Sequence, residues 1–427
     1  MNIERIKLSS VIFDESLYPR KQHDPVTVQK YTDCLEEIEA AEKYITVSKD
    51  YRLLDGKHRW LAYRTVYENE PDRLIPAFVD ETPGDAQQFK VAIRLNSQHG
   101  YQLSQSDKKD CAIKMFHMRI SPEEIRTALS VSKRTVSSWL ESPMKDQRER
   151  TNQTIMDMYL ACYSQEEIAA AVDVPKMTVS DRIAKLYDFG SLAKSVQTHA
   201  NHEEQEFQVP LYNVWTKSKI STELKHFGNS EITWVDNLLY LYTKPFDIVI
   251  DPFAGSGSTI DICKKRMRRF LVSDRKPIVS REKEIRKHDV IVDGIPKPPQ
   301  WKDVSLVYLD PPYWKQAEGE YSDDKEDLAN VSLEEFHDKL FSVIDGFSKK
   351  LHAGAKIALI IQPTQWKADN RGFEDHIANM IQRVKLPIVQ RIQAPYSTQQ
   401  ANAQMVEWAK ENKQLLVISR EIIVWQK

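Results

Sequence analysis

The stretch Phe246–Asp274, FDIVIDPFAGSGSTIDICKKRMRRFLVSD, decides how the second half of the chain is read. DIVI is a short apolar run of strand type, DPFAGSG a glycine-bearing turn, STIDICKKRM a helical pattern and RRFLVS a second apolar run. Strand, tight turn, helix, strand is the repeating unit of a parallel sheet with crossover helices. Glycines in the turn let the backbone approach a ligand closely, and the helix N-terminus behind them offers unpaired N–H groups. The run RRFLVS ends on Asp274, whose carboxylate can accept both hydroxyls of a ribose. No Gly-Lys-Ser/Thr follows the turn, and the G-x-G-x-x-G spacing of a dinucleotide fold is absent. Together these features point to a nucleoside cofactor.

Outward from this stretch, VSLVYLD and KIALIIQ continue the alternation of apolar runs with helical patterns. The closing QLLVISREIIVWQ reads as two β runs forming a terminal antiparallel hairpin. VSLVYL runs into Asp310-Pro311-Pro312-Tyr313, at the strand end where ligands bind in such sheets. Consecutive prolines fix the backbone and remove its N–H donors, so Asp310 and the Pro311 carbonyl present only acceptors. An exocyclic amine requires that arrangement. Accepting its two hydrogen bonds favours sp³ character at nitrogen, and an adjacent aromatic ring can stack on the base.

With DPFAGSG and DPPY in this order, the segment from about Phe207 to Lys427 resembles the DNA amino-methyltransferase family, which methylates the exocyclic nitrogen of adenine or cytosine. HFGNSEITWVDNLLYLYT (His226–Thr243) is similar to the helix that precedes the cofactor loop in that family. The resemblance implies a Rossmann-like α/β domain using S-adenosyl-L-methionine, with no metal expected. It implies cofactor contacts from Asp251, Phe253, Ala254, Gly255, Gly257 and Asp274, and catalytic roles for Asp310, Pro311, Pro312 and Tyr313. DPPY leans to adenine N-6 and SPPY to cytosine N-4, so the expected product is N-6-methyladenine in DNA. A stacked base cannot meet the methyl donor in line, so the nucleotide must be flipped out, with Tyr313 and Trp314 the first candidates to stack on it.

The front of the chain reads differently. GKHRWLA (Gly56–Ala62), with LLDG, IPAFV (Ile75–Val79) and LNSQHGYQLSQSDK (Leu95–Lys108), resembles the α+β domain of ParB proteins over roughly Met1–Lys114. Lys57-His58 departs from that family's Glu-Arg. Gly56, His58 and Arg59 therefore stand either for a nucleotide site or for a buried polar network. Next comes an internal repeat, in which SPEEIRTALSVSKRTVS (Ser121–Ser137) matches SQEEIAAAVDVPKMTVS (Ser164–Ser180). Each copy has a Ser cap before Glu-Glu, an apolar helix, a turn and a second helix, the layout of a helix-turn-helix. Lys133, Arg134 and Ser137 in one copy, and Lys176, Thr178 and Arg182 in the other, are the candidates to reach DNA. The polar stretch Lys194–Gln208 reads as a linker, giving expected domains at 1–104, 105–193 and 207–427, with 194–206 joining the last two.

Composition narrows the class without choosing the function. The 427 residues carry 60 basic and 62 acidic side chains, so DNA contact must come from local basic faces rather than bulk charge. Four cysteines with no metal-type spacing, no apolar run of membrane length and no secretory pattern at the start suit a reducing cytoplasm, in a prokaryotic or phage-encoded protein near the nucleoid. Double-stranded DNA and a second copy of the chain are the expected partners. The competing readings are a cytosine N-4 methyltransferase, an RNA methyltransferase, and a ParB-like DNA-binding regulator whose methyltransferase domain is inactive.

Overall fold

The computed structural model describes residues 2–20, 24–98, 103–187, 210–216, 232–315, 327–365, 373–395, 403–413, 415–417 and 419–427. The chain divides into two compact units, Met1–Arg150 and Thr151–Lys427.

The first unit is built on a four-stranded sheet of order β1-β4-β2-β3, with β1 Asn2–Lys7, β2 Ile45–Ser48, β3 Leu53–Asp55 and β4 Leu74–Asp80. Helices α1 Pro25–Asp33, α2 Leu35–Ala40 and α3 Lys57–Val66 complete its α+β part, and Ile45, Val47, Leu53, Trp60, Tyr63, Ile75 and Ala77 form the core. A second core of Phe89, Ile93, Ala112, Met115, Ile125, Leu129, Val136 and Leu140 joins α4 Asp85–Gln98, α5 Gln105–His117, α6 Pro122–Leu129 and the start of α7 Lys133–Leu160.

The second unit contains a seven-stranded sheet of order β10-β11-β9-β8-β5-β6-β7. Its strands are β5 Ile248–Asp251, β6 Arg269–Asp274, β7 Ile285–Lys287, β8 Val304–Leu309, β9 Lys356–Ile361, β10 Ile388–Pro395 and β11 Ser419–Gln426. All neighbours pair in parallel except β11, which is antiparallel to both β9 and β10. Ile248–Asp251 is buried throughout, as a central strand covered on both faces requires. From β5 the chain passes to β6 on one side and later returns to β8 on the other, which makes the β5–β8 crevice the topological switch point where ligands bind. Helices α10 Ile232–Tyr242, α11 Ser258–Lys265, α12 Leu333–Lys350, α13 His376–Arg383 and α14 Ala403–Glu411 follow in chain order.

Two expectations need correction. The terminal hairpin does not form, because Leu415–Val417 lie in no strand and REIIVW pairs instead with β9 and β10. An apolar run gains a full ladder on each side by entering between two strands, whereas a hairpin arm would leave one edge bare. The division between compact units also falls before the second repeat copy, not after it. That copy, α8 Gln165–Val172 and α9 Lys176–Leu186, buries Ile168, Val179 and Ile183 in one core with Trp234, Leu238, Phe246, Val249 and Ile260. The proposed linker 194–206 lies outside the described residues.

Candidate active site

β5 and β8 end side by side, and each hands over to one of the two motifs. Asp251 closes β5 and is buried; its Oδ1 accepts from the Phe253 backbone N–H at 3.0 Å and its Oδ2 from the Thr259 hydroxyl at 2.6 Å. Burial pushes its carboxyl up to about 7 against these two bonds, and the nearby Asp310 and Asp274 charges push the same way. Sequence reading missed Thr259, although it stands only two residues past Gly257 and bonds Asp251.

The loop then turns through Gly255 at φ +53° and Gly257 at φ +81°. A methyl at Gly257 would lie 3.1 Å from Arg281 Nη1 and Ile260 Cδ1, so this glycine packs the helix start closely. A methyl at Gly255 would meet nothing within 4 Å, so the loop backbone there faces open space. The Ala254 N–H donates to the Ser273 carbonyl at 3.0 Å and the Gly255 N–H to Asp274 Oδ2 at 3.0 Å, fastening the loop across to the end of β6. Asp274 Oδ1 accepts from the Lys276 N–H at 2.8 Å, which fixes the carboxylate at the strand end. Open backbone at Gly255, a helix beginning at Ser258 and an oriented carboxylate at β6 form a donor and acceptor set that fits a nucleoside cofactor. Phe253 is half-buried beside them.

At β8 the Tyr313 hydroxyl donates to Asp310 Oδ1 at 2.8 Å. Arg420, in the last strand, places Nη1 3.9 Å from Asp310 Oδ2 and its guanidinium 4.9 Å from the centre of the Tyr313 ring. Burial drives the Tyr313 hydroxyl well above its usual range, so it remains a donor. Pro311 is buried and Pro312 half-buried. Trp314, the other candidate for stacking, packs into the core. It is buried with Leu328, Val331 and Phe336, and its Nε1–H donates to the Val331 carbonyl at 2.8 Å, because an indole surrounded by apolar side chains needs a partner for its one donor. Arg420 has no local sequence signal; only the placement of β11 brings it here.

The remaining candidates lie elsewhere. Gly56 caps α3 in the left-handed region at φ +90°. His58 Nε2 accepts from the Asp24 N–H at 3.0 Å, and Arg59 bonds Asp55 Oδ2 at 2.8 Å and the Lys43 and Tyr44 carbonyls. His58 and Arg59 thus each make polar contacts within the first unit. Lys133 and Arg134 are exposed at the start of α7, with Ser137 exposed one turn on. Lys176 is exposed at the start of α9 and paired with Glu166; Thr178 and Arg182 are half-buried.

A mostly parallel sheet reversing at β5, with a glycine loop at that strand and an Asp-Pro-Pro-Tyr turn at its neighbour, is a Rossmann-like α/β architecture with both motifs at one crevice. Residues 87–281 match the family described as DNA methylase. The matched segment takes in both repeat copies, the cofactor loop and Asp274, and it ends before Asp310. No curated relative matches. Similar solved structures include TrmN from Thermus thermophilus, at 14% identity over 47% of this chain and 50% of that one with a TM-score of 0.29. An rRNA methylase from Streptococcus thermophilus is 11% identical over 46% of this chain and 97% of that one, with a TM-score of 0.29. The C-terminally truncated chromosome-partitioning protein ParB from Caulobacter crescentus, complexed with CTP-gamma-S, is 14% identical over 43% and 99%, with a TM-score of 0.20. The chain thus spans half the length of TrmN. Among the described residues no helix is long and apolar enough to cross a membrane.

Proposed function

We propose that the protein is a site-specific DNA methyltransferase that modifies the exocyclic N-6 of an adenine flipped out of the duplex. The observation that carries this reading is the adjacency of the Asp251–Gly257 loop and the Asp310–Tyr313 turn at the ends of paired strands. S-adenosylmethionine supplies the activated methyl group on its sulfonium. Asp251, Phe253, Ala254, Gly255, Gly257 and Asp274 hold that cofactor in this reading, with Asp274 at the ribose. Asp310 and the Pro311 carbonyl accept from the amine and orient its lone pair, while Pro312 keeps the turn free of a competing donor. No dedicated base is needed, because the amine gives up its proton after attack and positioning supplies most of the rate.

Lys133, Arg134, Lys176 and Arg182 serve DNA contact, at phosphates or base edges. Adenine rather than cytosine rests on the Asp that opens the tetrad. Incubation with labelled S-adenosylmethionine and plasmid DNA, followed by nucleoside chromatography, tests the reading. Label in N-6-methyladenine is expected, label in N-4-methylcytosine overturns the choice of base, and no transfer to any DNA overturns the activity.

A further inference from the structure

Behind the catalytic turn, three side chains that no part of the methyl-transfer reading uses converge in a mostly buried cluster. His337 on α12 and His376 at the start of α13 are almost wholly buried, and Glu374 is half-buried beside them. One ligand atom from each lies within 4.8 Å of the others. His337 Nε2 is 2.9 Å from His376 Nδ1 and 3.9 Å from Glu374 Oε1. Sequence spacing conceals the group, since Glu374-Asp375-His376 is a short E-x-H element and His337 sits on another helix.

We propose that His337, His376 and Glu374 form a binding site for one divalent transition-metal ion of the zinc type. Hydrogen-bond bookkeeping fixes the orientation of one ligand. The Thr364 hydroxyl donates its single proton to the Trp314 carbonyl at 3.0 Å, so towards His376 Nε2, 2.8 Å away, it can only accept. His376 therefore carries its proton on Nε2 and turns the Nδ1 lone pair into the cluster, as an imidazole ligand held by an outer hydrogen bond does. His337 Nε2 faces that lone pair. It either donates a proton to it, or shifts its own proton to Nδ1 and adds a second lone pair for a cation. Two imidazoles and a carboxylate are a zinc donor set, whereas magnesium and calcium select all-oxygen sites. With three protein ligands, a tetrahedral ion would leave its fourth position to water.

Such an ion would be a clamp rather than a reagent. It would join α12 to the segment in which Glu374 and Thr364 exchange backbone hydrogen bonds of 2.9 and 3.1 Å, and through Thr364 it would hold Trp314, the residue after Tyr313. The inference does not depend on which base is methylated.

The experiment uses the full-length, tag-free chain, stripped with chelator, reloaded with zinc chloride and gel-filtered, with bound metal read by elemental analysis and thermal midpoint read with and without zinc. About one zinc per chain and a higher midpoint with zinc are expected. Glu374→Gln, a half-buried position that tolerates an isostere, should weaken zinc affinity at least tenfold. Thr364→Val should weaken it by about 10–100-fold, the usual effect of losing an outer hydrogen bond. Should His337→Gln fail to fold, the other two variants still decide the matter. A wild-type chain that retains no zinc overturns the proposal, and so does a folded Glu374→Gln chain that binds zinc as tightly as wild type.

Discussion

At the scale of single residues, the two carboxylates at the ends of β5 and β8 are set up for different tasks. Asp310 is tied to Tyr313 and faces Arg420, and in the proposed function it serves the base; on that proposal Asp310→Ala should lower methylation by about 10²–10³-fold, the scale of losing one preorganised electrostatic interaction, with cofactor affinity unchanged by calorimetry. Loss of both together would place it at the cofactor instead. Asp274→Ala should do the reverse and weaken cofactor binding by about 1–3 kcal/mol. Asp251 is the titrating member. Its folded value of about 7 lies above the ordinary 3.8, so its contribution to stability is full below pH 3.8 and is lost as pH rises through 7. The loss reaches up to about 4 kcal/mol, at ~1.4 kcal/mol per unit. Asp251→Asn can keep both bonds, accepting from the Phe253 N–H and donating to Thr259. Its thermal midpoint should gain on wild type between pH 5 and pH 8, and a gap that stays constant with pH would contradict the assignment.

At the scale of elements, the repeat was the part of the fold most legible in the sequence. The Ser-x-x-Glu spacing at Ser121 and Ser164 yields a capping box in both copies, with Ser164 Oγ accepting from the Glu167 N–H at 3.2 Å and the Glu167 carboxylate accepting from the Ser164 N–H at 2.8 Å. Ser164→Ala should therefore cost about 1 kcal/mol, read as a lower urea midpoint, with the packing of α9 unaffected. βαβ order and both motif positions were legible for the same reason: strand, turn and cap chemistry are local. The fate of QLLVIS and REIIVW was not, because two adjacent β-type runs fit a hairpin as well as they fit a separated strand, and only the vacancy between β9 and β10 decides. Arg420 at Tyr313 and His337 at His376 escaped for a related reason, since each pairing joins residues whose separation along the chain carries no periodic signal.

At the scale of the whole molecule, the question is where the front unit ends and the Rossmann-like domain begins. Composition suggested a start near Phe207, yet Ile155, Tyr159, Leu160, Ile168, Val179 and Ile183 share one core with Trp234, Phe246, Val249 and Ile260. Cutting at 207 removes all six and uncovers the apolar faces they fill, at about 1.5–3 kcal/mol for each large side chain exposed, which exceeds what a domain of this size can lose. A fragment 151–427 keeps that core and retains α9 with Lys176 and Arg182, but lacks the ParB-like unit with Lys133 and Arg134. Fragment 151–427 is thus expected to fold and fragment 207–427 to aggregate, by gel filtration and circular dichroism. If the front unit supplies DNA affinity, the folded fragment should bind plasmid DNA more weakly than the full chain. The slope of log affinity against log salt should also be shallower, by about 0.9 for each phosphate that the front unit would have neutralised. Methylated sites mapped by sequencing then separate affinity from reading. A fragment that keeps the site preference but shows the shallower salt slope assigns the front unit to backbone attachment alone, and one that keeps both removes it from DNA recognition.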